Sequence, residues 1–221
     1  MEVPVLKNIL ATNDAIAEEN AKLFKEKDLA VLNFMSSPGA GKTTLVIKTL
    51  EAAKRAGIPL AVIDGDIAST VDTDRVAAHG VTAVQINTGG ACHLDANMIR
   101  NALGKIDLDA IKLLIIENVG NLVCPAEFKL GEHKKVMLLS VTEGDDKPHK
   151  YPLMFSEADA LVINKIDLLG ATNFNMDEFK ETIRRMNPDV EMFIVSCTTG
   201  EGLEAWDDWV IKQVGELTKS S

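Results

Sequence analysis

Long apolar runs are missing from this sequence. The longest, such as 113–116 and 136–139, fall far short of the roughly 20 residues that cross a bilayer. The opening residues MEVPVLKNIL lack the charged region, apolar core and cleavage site of a signal peptide. The expectation is a cytoplasmic chain with no membrane contact. Cysteine is scarce as well: three residues, an odd number, which in such a compartment excludes a disulfide framework. Positive charge is in deficit, with 23 Lys and Arg against 33 Asp and Glu and a net charge of −10. The basic residues are scattered, so nucleic acid is excluded as a general partner. No internal repeat or low-complexity stretch is present.

What is there is ordinary globular composition, 46% hydrophobic and 25% charged over 221 residues. Residues 7–27 place apolar side chains at helical spacing, which predicts an N-terminal helix packed on the body. Short apolar runs then alternate with helical stretches. The runs are 29–35, 60–63, 83–86, 112–116, 136–141, 160–163 and 192–196. Most are continuous and not alternating, as strands buried on both faces require. Helices are predicted at 42–56, 69–79, 94–104, 176–187 and 202–217. The pattern predicts an α/β fold, a mainly parallel central sheet with helices on both faces. Residues 1–28 read as a helical arm and 29–221 as a P-loop nucleotide-binding domain, one structural domain overall.

The first predicted strand runs into Ser36-Ser37-Pro38-Gly39-Ala40-Gly41-Lys42-Thr43-Thr44. This matches the P-loop except that Ser36 replaces its first glycine. Gly39, Ala40 and Gly41 bring backbone N–H groups around phosphate oxygens. Lys42 reaches the β and γ phosphates, the Thr43 hydroxyl suits Mg²⁺, and Thr44 continues the cradle. A second motif, Asn164-Lys165-Ile166-Asp167, follows a buried strand and selects the base. A carboxylate can accept both the N1–H and the exocyclic amine of guanine, and adenine offers no such pair. Lys165 can lie along the base, and Asn164 can tie this loop to the P-loop. Ser196-Cys197-Thr198-Thr199-Gly200, again after a strand, resembles the loop that offers backbone N–H groups to the guanine oxygen. GTP and GDP are therefore the expected nucleotides.

Asp64 and Asp66 end the second strand, and Glu117 with Gly120 ends another. Carboxylates at strand C-termini near a P-loop can hold Mg²⁺ through water, and Gly120 can donate its N–H to the γ-phosphate. Asp64 and Asp66 can equally cap the next helix. Asp66 is the first candidate to position the attacking water and also to bind Mg²⁺; Glu117 is the second for the water.

Cys92, His93 and Cys124 lie on two loops that leave the same sheet edge as the P-loop if the strands are parallel. Two thiolates and an imidazole suit Zn²⁺ or Ni²⁺ with one open position. Adjacent Cys-His is not a standard ligand spacing, and separated cysteines are otherwise small buried residues. Cys197 reads as packing, and His79, His133 and His149 as surface or capping residues.

Together the P-loop, Gly89-Gly-Ala-Cys-His-Leu94, Glu117-Asn-Val-Gly-Asn-Leu122, Ser140-Val-Thr-Glu-Gly-Asp-Asp-Lys-Pro148 and Lys150-Tyr-Pro-Leu-Met-Phe155 resemble the HypB family of hydrogenase nickel-incorporation GTPases. The likeness spans nearly the whole chain, including the helix that bears Asn13 and Asn20. It implies a SIMIBI-class GTPase that forms a nucleotide-linked homodimer and helps deliver nickel to [NiFe] hydrogenase. It also implies Cys92, His93 and Cys124 as metal ligands near the dimer interface. A small HypA-like nickel accessory protein and the hydrogenase large subunit are the implied partners. Urease nickel delivery and cobalamin-enzyme chaperoning use related domains and form the alternative. The N-terminal cysteine motif and histidine-rich stretch of some members are absent, so tight nickel binding and storage are not expected. Ser37 stands where related ATPases carry a signature lysine, and Lys147 from a neighbouring subunit is the candidate replacement.

Overall fold

The computed structural model describes residues 4–66 and 71–218; the side chains of 4–9, 66, 71 and 72 also lie outside the described set. Its centre is a seven-stranded sheet in the order β3-β2-β4-β1-β5-β6-β7. The strands are β1 (Ala30–Ser36), β2 (Leu60–Asp66), β3 (Thr82–Asn87), β4 (Leu113–Glu117), β5 (Lys134–Ser140), β6 (Ala160–Asn164) and β7 (Glu191–Ile194). Every pairing is parallel. All seven predicted strands are present, with ends moved by at most three residues, the largest shift being at the end of β2. The inner strands β1, β4 and β6 are buried along their whole length. The edge strands β3 and β7 are only half covered, because each has a neighbour on one side alone.

The alternation of β1 shows how the layers form. Ala30, Leu32 and Phe34 face α2 (Lys42–Arg55) and α9 (Leu203–Leu217), where Trp206 is fully buried and donates its indole N–H to Thr49 at 2.9 Å. Val31 faces the other way, toward Phe24 of α1 (Pro4–Glu26) and Ile99 of α4 (Ala96–Leu103). Met35 joins a third cluster with Phe155 of α7 (Pro152–Ser156) and Phe179 of α8 (Met176–Met186). The sheet is thus covered on both faces, as parallel sheets require. The remaining helices are α3 (Val71–Ala77), α5 (Cys124–Glu127) and α6 (Lys147–Lys150). The last two and α7 are a single turn or little more, too short for periodicity to mark them. No helix among the described residues is long and apolar enough to cross a membrane.

One polar residue breaks the apolar face of β1. Asn33 is fully buried, and its amide donates to Glu132 at 3.0 Å while its oxygen accepts from Asn118 at 3.3 Å. Buried amides cost stability unless both ends are bonded, and here both are.

Candidate functional site

Because all strands run the same way, their C-terminal ends share one edge, where ligands of open α/β sheets bind. There the P-loop, Asp64, Gly65, Arg75, Glu117, Gly120 and Lys165 enclose a cleft of about 560 Å³. Gly41 has φ +101°, and a Cβ there would lie 2.5 Å from the Asn164 amide. Only glycine fits both constraints. Asn164 donates to the Ala40 carbonyl at 3.0 Å and accepts the Cys197 N–H at 3.1 Å, so it joins the P-loop to the base loop. Lys165, itself left-handed at φ 62°, donates to the Gly39 carbonyl at 2.7 Å. Asp167 is exposed and accepts the Ser196 hydroxyl at 2.6 Å. The Cys197 thiol is buried in the core and pushed up to about 11, chiefly by that burial. Its backbone N–H is the one donated to Asn164.

Glu117 is buried beneath the P-loop. Its Oε1 accepts the Thr43 hydroxyl at 2.7 Å and lies 3.4 Å from the Lys42 ammonium. Asp64 stands beside Glu117 in the β2–β4 register and accepts the Thr73 hydroxyl at 2.6 Å. Asp66 ends β2, but its carboxylate is outside the described residues, so its catalytic and Mg²⁺ roles stay as expectations. Ser37 donates its hydroxyl to Glu143, whose other oxygen accepts the Ser140 N–H at 2.9 Å. Glu143 lies in the quoted stretch 140–148 but is given no role there, and Arg75 is not singled out. No motif marks Arg75, which α3 brings to the wall of the cleft.

Beyond the phosphate end, the ligand atoms of Cys92, His93 and Cys124 all lie within 4.8 Å of one another. The Cys92 thiol donates to Cys124 at 3.0 Å and approaches His93 Nδ1 at 3.7 Å. Hydrogen bonding to Cys92, then burial, raises the Cys124 thiol. Burial lowers the His93 imidazole, with Asp95 and Glu127 opposing it. A neutral imidazole is the form that ligates a metal. The His93 ring stacks on Phe128, centroids 3.8 Å apart, a contact that fixes the ring and carries no sequence signal.

Asn118 stands between the two sites. Fully buried, it accepts the N–H of Leu94, next to His93, at 3.1 Å and that of Val119 at 2.9 Å. Asn121 adds a bond to the Cys92 carbonyl at 3.2 Å. One residue past Val119, Gly120 packs so closely on the P-loop that a Cβ would lie 3.1 Å from the Pro38 nitrogen. Away from these sites, His133 is no mere surface residue. It is half-buried and its Nδ1 accepts the Val31 N–H at 3.2 Å.

A family model described as the CobW/HypB/UreG nucleotide-binding domain matches residues 30–194. The hydrogenase maturation factor HypB of Escherichia coli K12 is 48% identical over 206 residues, 93% of the chain and 71% of that protein. The chain belongs to the HypB family. Another HypB, the hydrogenase/urease maturation factor of Helicobacter pylori, is 40% identical and covers 100% of the chain and 91% of its own length. The crystal structure of HypB from Helicobacter pylori in complex with nickel matches with TM-score 0.87 at 41% identity, over 93% of the chain and 96% of that structure. The all-parallel sheet with helices on both faces is thus the HypB fold.

Proposed function

We propose that this HypB-family chain is a GTP-hydrolysing metallochaperone whose nucleotide-dependent homodimer serves nickel delivery during [NiFe] hydrogenase maturation in the cytoplasm. The observation that carries this reading is the Asn118 bridge. One side chain ties the loop before Gly120, at the γ-phosphate end, to the loop bearing Cys92 and His93. Any change at Gly120 on hydrolysis is then felt where the metal is held.

In the nucleotide site Lys42 neutralises the β and γ phosphates, Gly120 donates its N–H to the γ-phosphate, and Asp167 reads guanine. The hydroxyl of Thr43 beside the Glu117 carboxylate is the hard-oxygen environment that fits Mg²⁺. Thr43 with Asp66 would hold this ion, which supplies charge neutralisation at the phosphate oxygens. Phosphate binding draws Lys42 away from Glu117 and leaves that carboxylate able to orient water, Asp66 remaining the first candidate for that role.

Ni²⁺ or Zn²⁺ is cargo at Cys92, His93 and Cys124, whose soft and borderline donors suit either ion. A HypA-like accessory protein and the hydrogenase large subunit are the proposed partners. A urease client is the second reading, favoured by one observation: the Helicobacter pylori relative that spans the whole chain is a hydrogenase/urease maturation factor.

Single-turnover GTP hydrolysis tests the enzymatic half. Lys42→Ala is expected to lower the rate by about 10²-fold, the usual scale for losing one charge-stabilising donor. Lys147 lies in α6, its ammonium 5.6 Å from the Tyr151 ring centroid. If it reaches a neighbouring subunit's phosphates, Lys147→Ala lowers turnover by about tenfold or more. Turnover unchanged by Lys42→Ala refutes the GTPase reading; turnover unchanged by Lys147→Ala removes that residue alone.

A further inference from the structure

The N-terminal helix carries two buried polar side chains on a core-facing stripe. Asn13 and Asn20 are seven residues apart, close to two helical turns, and share one face. They are 6% and 1% exposed. Amides this deep must be bonded, and the identity of their partners is informative.

Asn13 accepts the Ala96 N–H at 2.9 Å and donates to the Lys129 carbonyl at 2.9 Å. Asn20 donates to the Ala96 carbonyl at 2.9 Å and to the Leu130 carbonyl at 3.0 Å. Each asparagine therefore joins the same two segments. Ala96 opens α4, three residues after His93. Lys129 and Leu130 follow Phe128, which stacks on His93, and come shortly after α5, whose first residue is Cys124. Through these four bonds the single helix α1 spans the two segments that supply Cys92, His93 and Cys124. Asn121 links the loops from within, and α1 holds them from behind.

We propose that α1 is a structural part of the metal centre, with Asn13 and Asn20 as positioning residues that set the separation of the two ligand-bearing segments. The inference rests on the metal reading above and deepens it: the arm does more than cover the apolar face of the sheet. Outer partners that orient metal ligands typically affect affinity about 10–100-fold, and these four bonds act on the ligand loops from one step further out. The expected effect is therefore at the low end, about tenfold. Among the described residues the phosphate cleft takes no side chain from α1, so nucleotide affinity is expected to stay within about twofold.

The test titrates the full chain with Ni²⁺ alone, following the thiolate-to-metal charge-transfer absorption, with GDP affinity measured in parallel. Wild type, Cys92→Ala/Cys124→Ala and Asn13→Ala/Asn20→Ala are compared, and Asn13→Ala alone replaces the last if the pair does not fold. The expected result for the asparagine variant is the same absorption band, nickel affinity about tenfold weaker and GDP affinity unchanged. Wild-type nickel affinity overturns the proposal. So does a parallel loss of GDP affinity, which would make α1 a general stabiliser of the domain. If wild type itself shows no band, or shows one that the cysteine variant retains, the metal reading fails first and the proposal falls with it.

Discussion

Asp167→Asn is expected to turn the nucleotide preference from guanine to xanthine. The carboxylate at 167 is exposed at the end of the base loop, and Ser196 holds it through a 2.6 Å hydrogen bond. Guanine presents two donors, N1–H and the exocyclic amine, to a group that only accepts. Asparagine offers one acceptor and one donor, so its NH₂ confronts the amine of guanine. Losing one hydrogen bond to a charged group and leaving a donor unmatched costs about 3 kcal/mol or more, or about 10²-fold in affinity. Xanthine carries a carbonyl where guanine has the amine, and the asparagine NH₂ matches it. Competition of GDP and XDP against a fluorescent nucleotide reads the change directly. A variant that still prefers GDP by the wild-type margin would place base recognition elsewhere.

The second large effect concerns the metal. Cys92→Ala/Cys124→Ala removes both soft donors and leaves His93 as the sole remaining member of the cluster. Nickel affinity is expected to fall by more than about 10²-fold, since thiolates carry most of the affinity of such a set. GDP affinity is expected to hold, because neither cysteine lines the phosphate cleft. Equilibrium dialysis with metal analysis measures both stoichiometry and affinity. Equal nickel binding by variant and wild type would make the two cysteines packing residues, the alternative left open by their unusual spacing.

How much of this could be read from the chain differs by element. Inner strands such as β4 and β6 are legible because burial on both faces leaves an unbroken apolar run. The half-covered edges β3 and β7 read less cleanly, and the strand order cannot be read at all. Cys92, His93 and Cys124 could be brought together on paper by one argument: loops following parallel strands leave the same edge. The structure places their ligand atoms within 4.8 Å of one another. What was not legible is the set of contacts between residues far apart in sequence. Asn118 to Leu94, His93 to Phe128, Ser37 to Glu143 and Asn20 to Leu130 each join residues of common type with no local pattern. The loop of Cys197 is legible by motif, while the bond from its N–H to Asn164 is not.

Among these contacts, Asn118 bears the heaviest part of the proposed account, because its buried side chain joins the loop before Gly120 to the loop bearing Cys92 and His93. The most direct test is the nickel affinity of the wild-type chain, measured by titration calorimetry once with GDP and Mg²⁺ and once with a non-hydrolysable GTP analogue and Mg²⁺. The account predicts that affinity or stoichiometry differs between the two nucleotide states, by about fivefold or more for a coupling of about 1 kcal/mol. Identical nickel binding in both states would contradict it and leave two independent sites on one sheet edge.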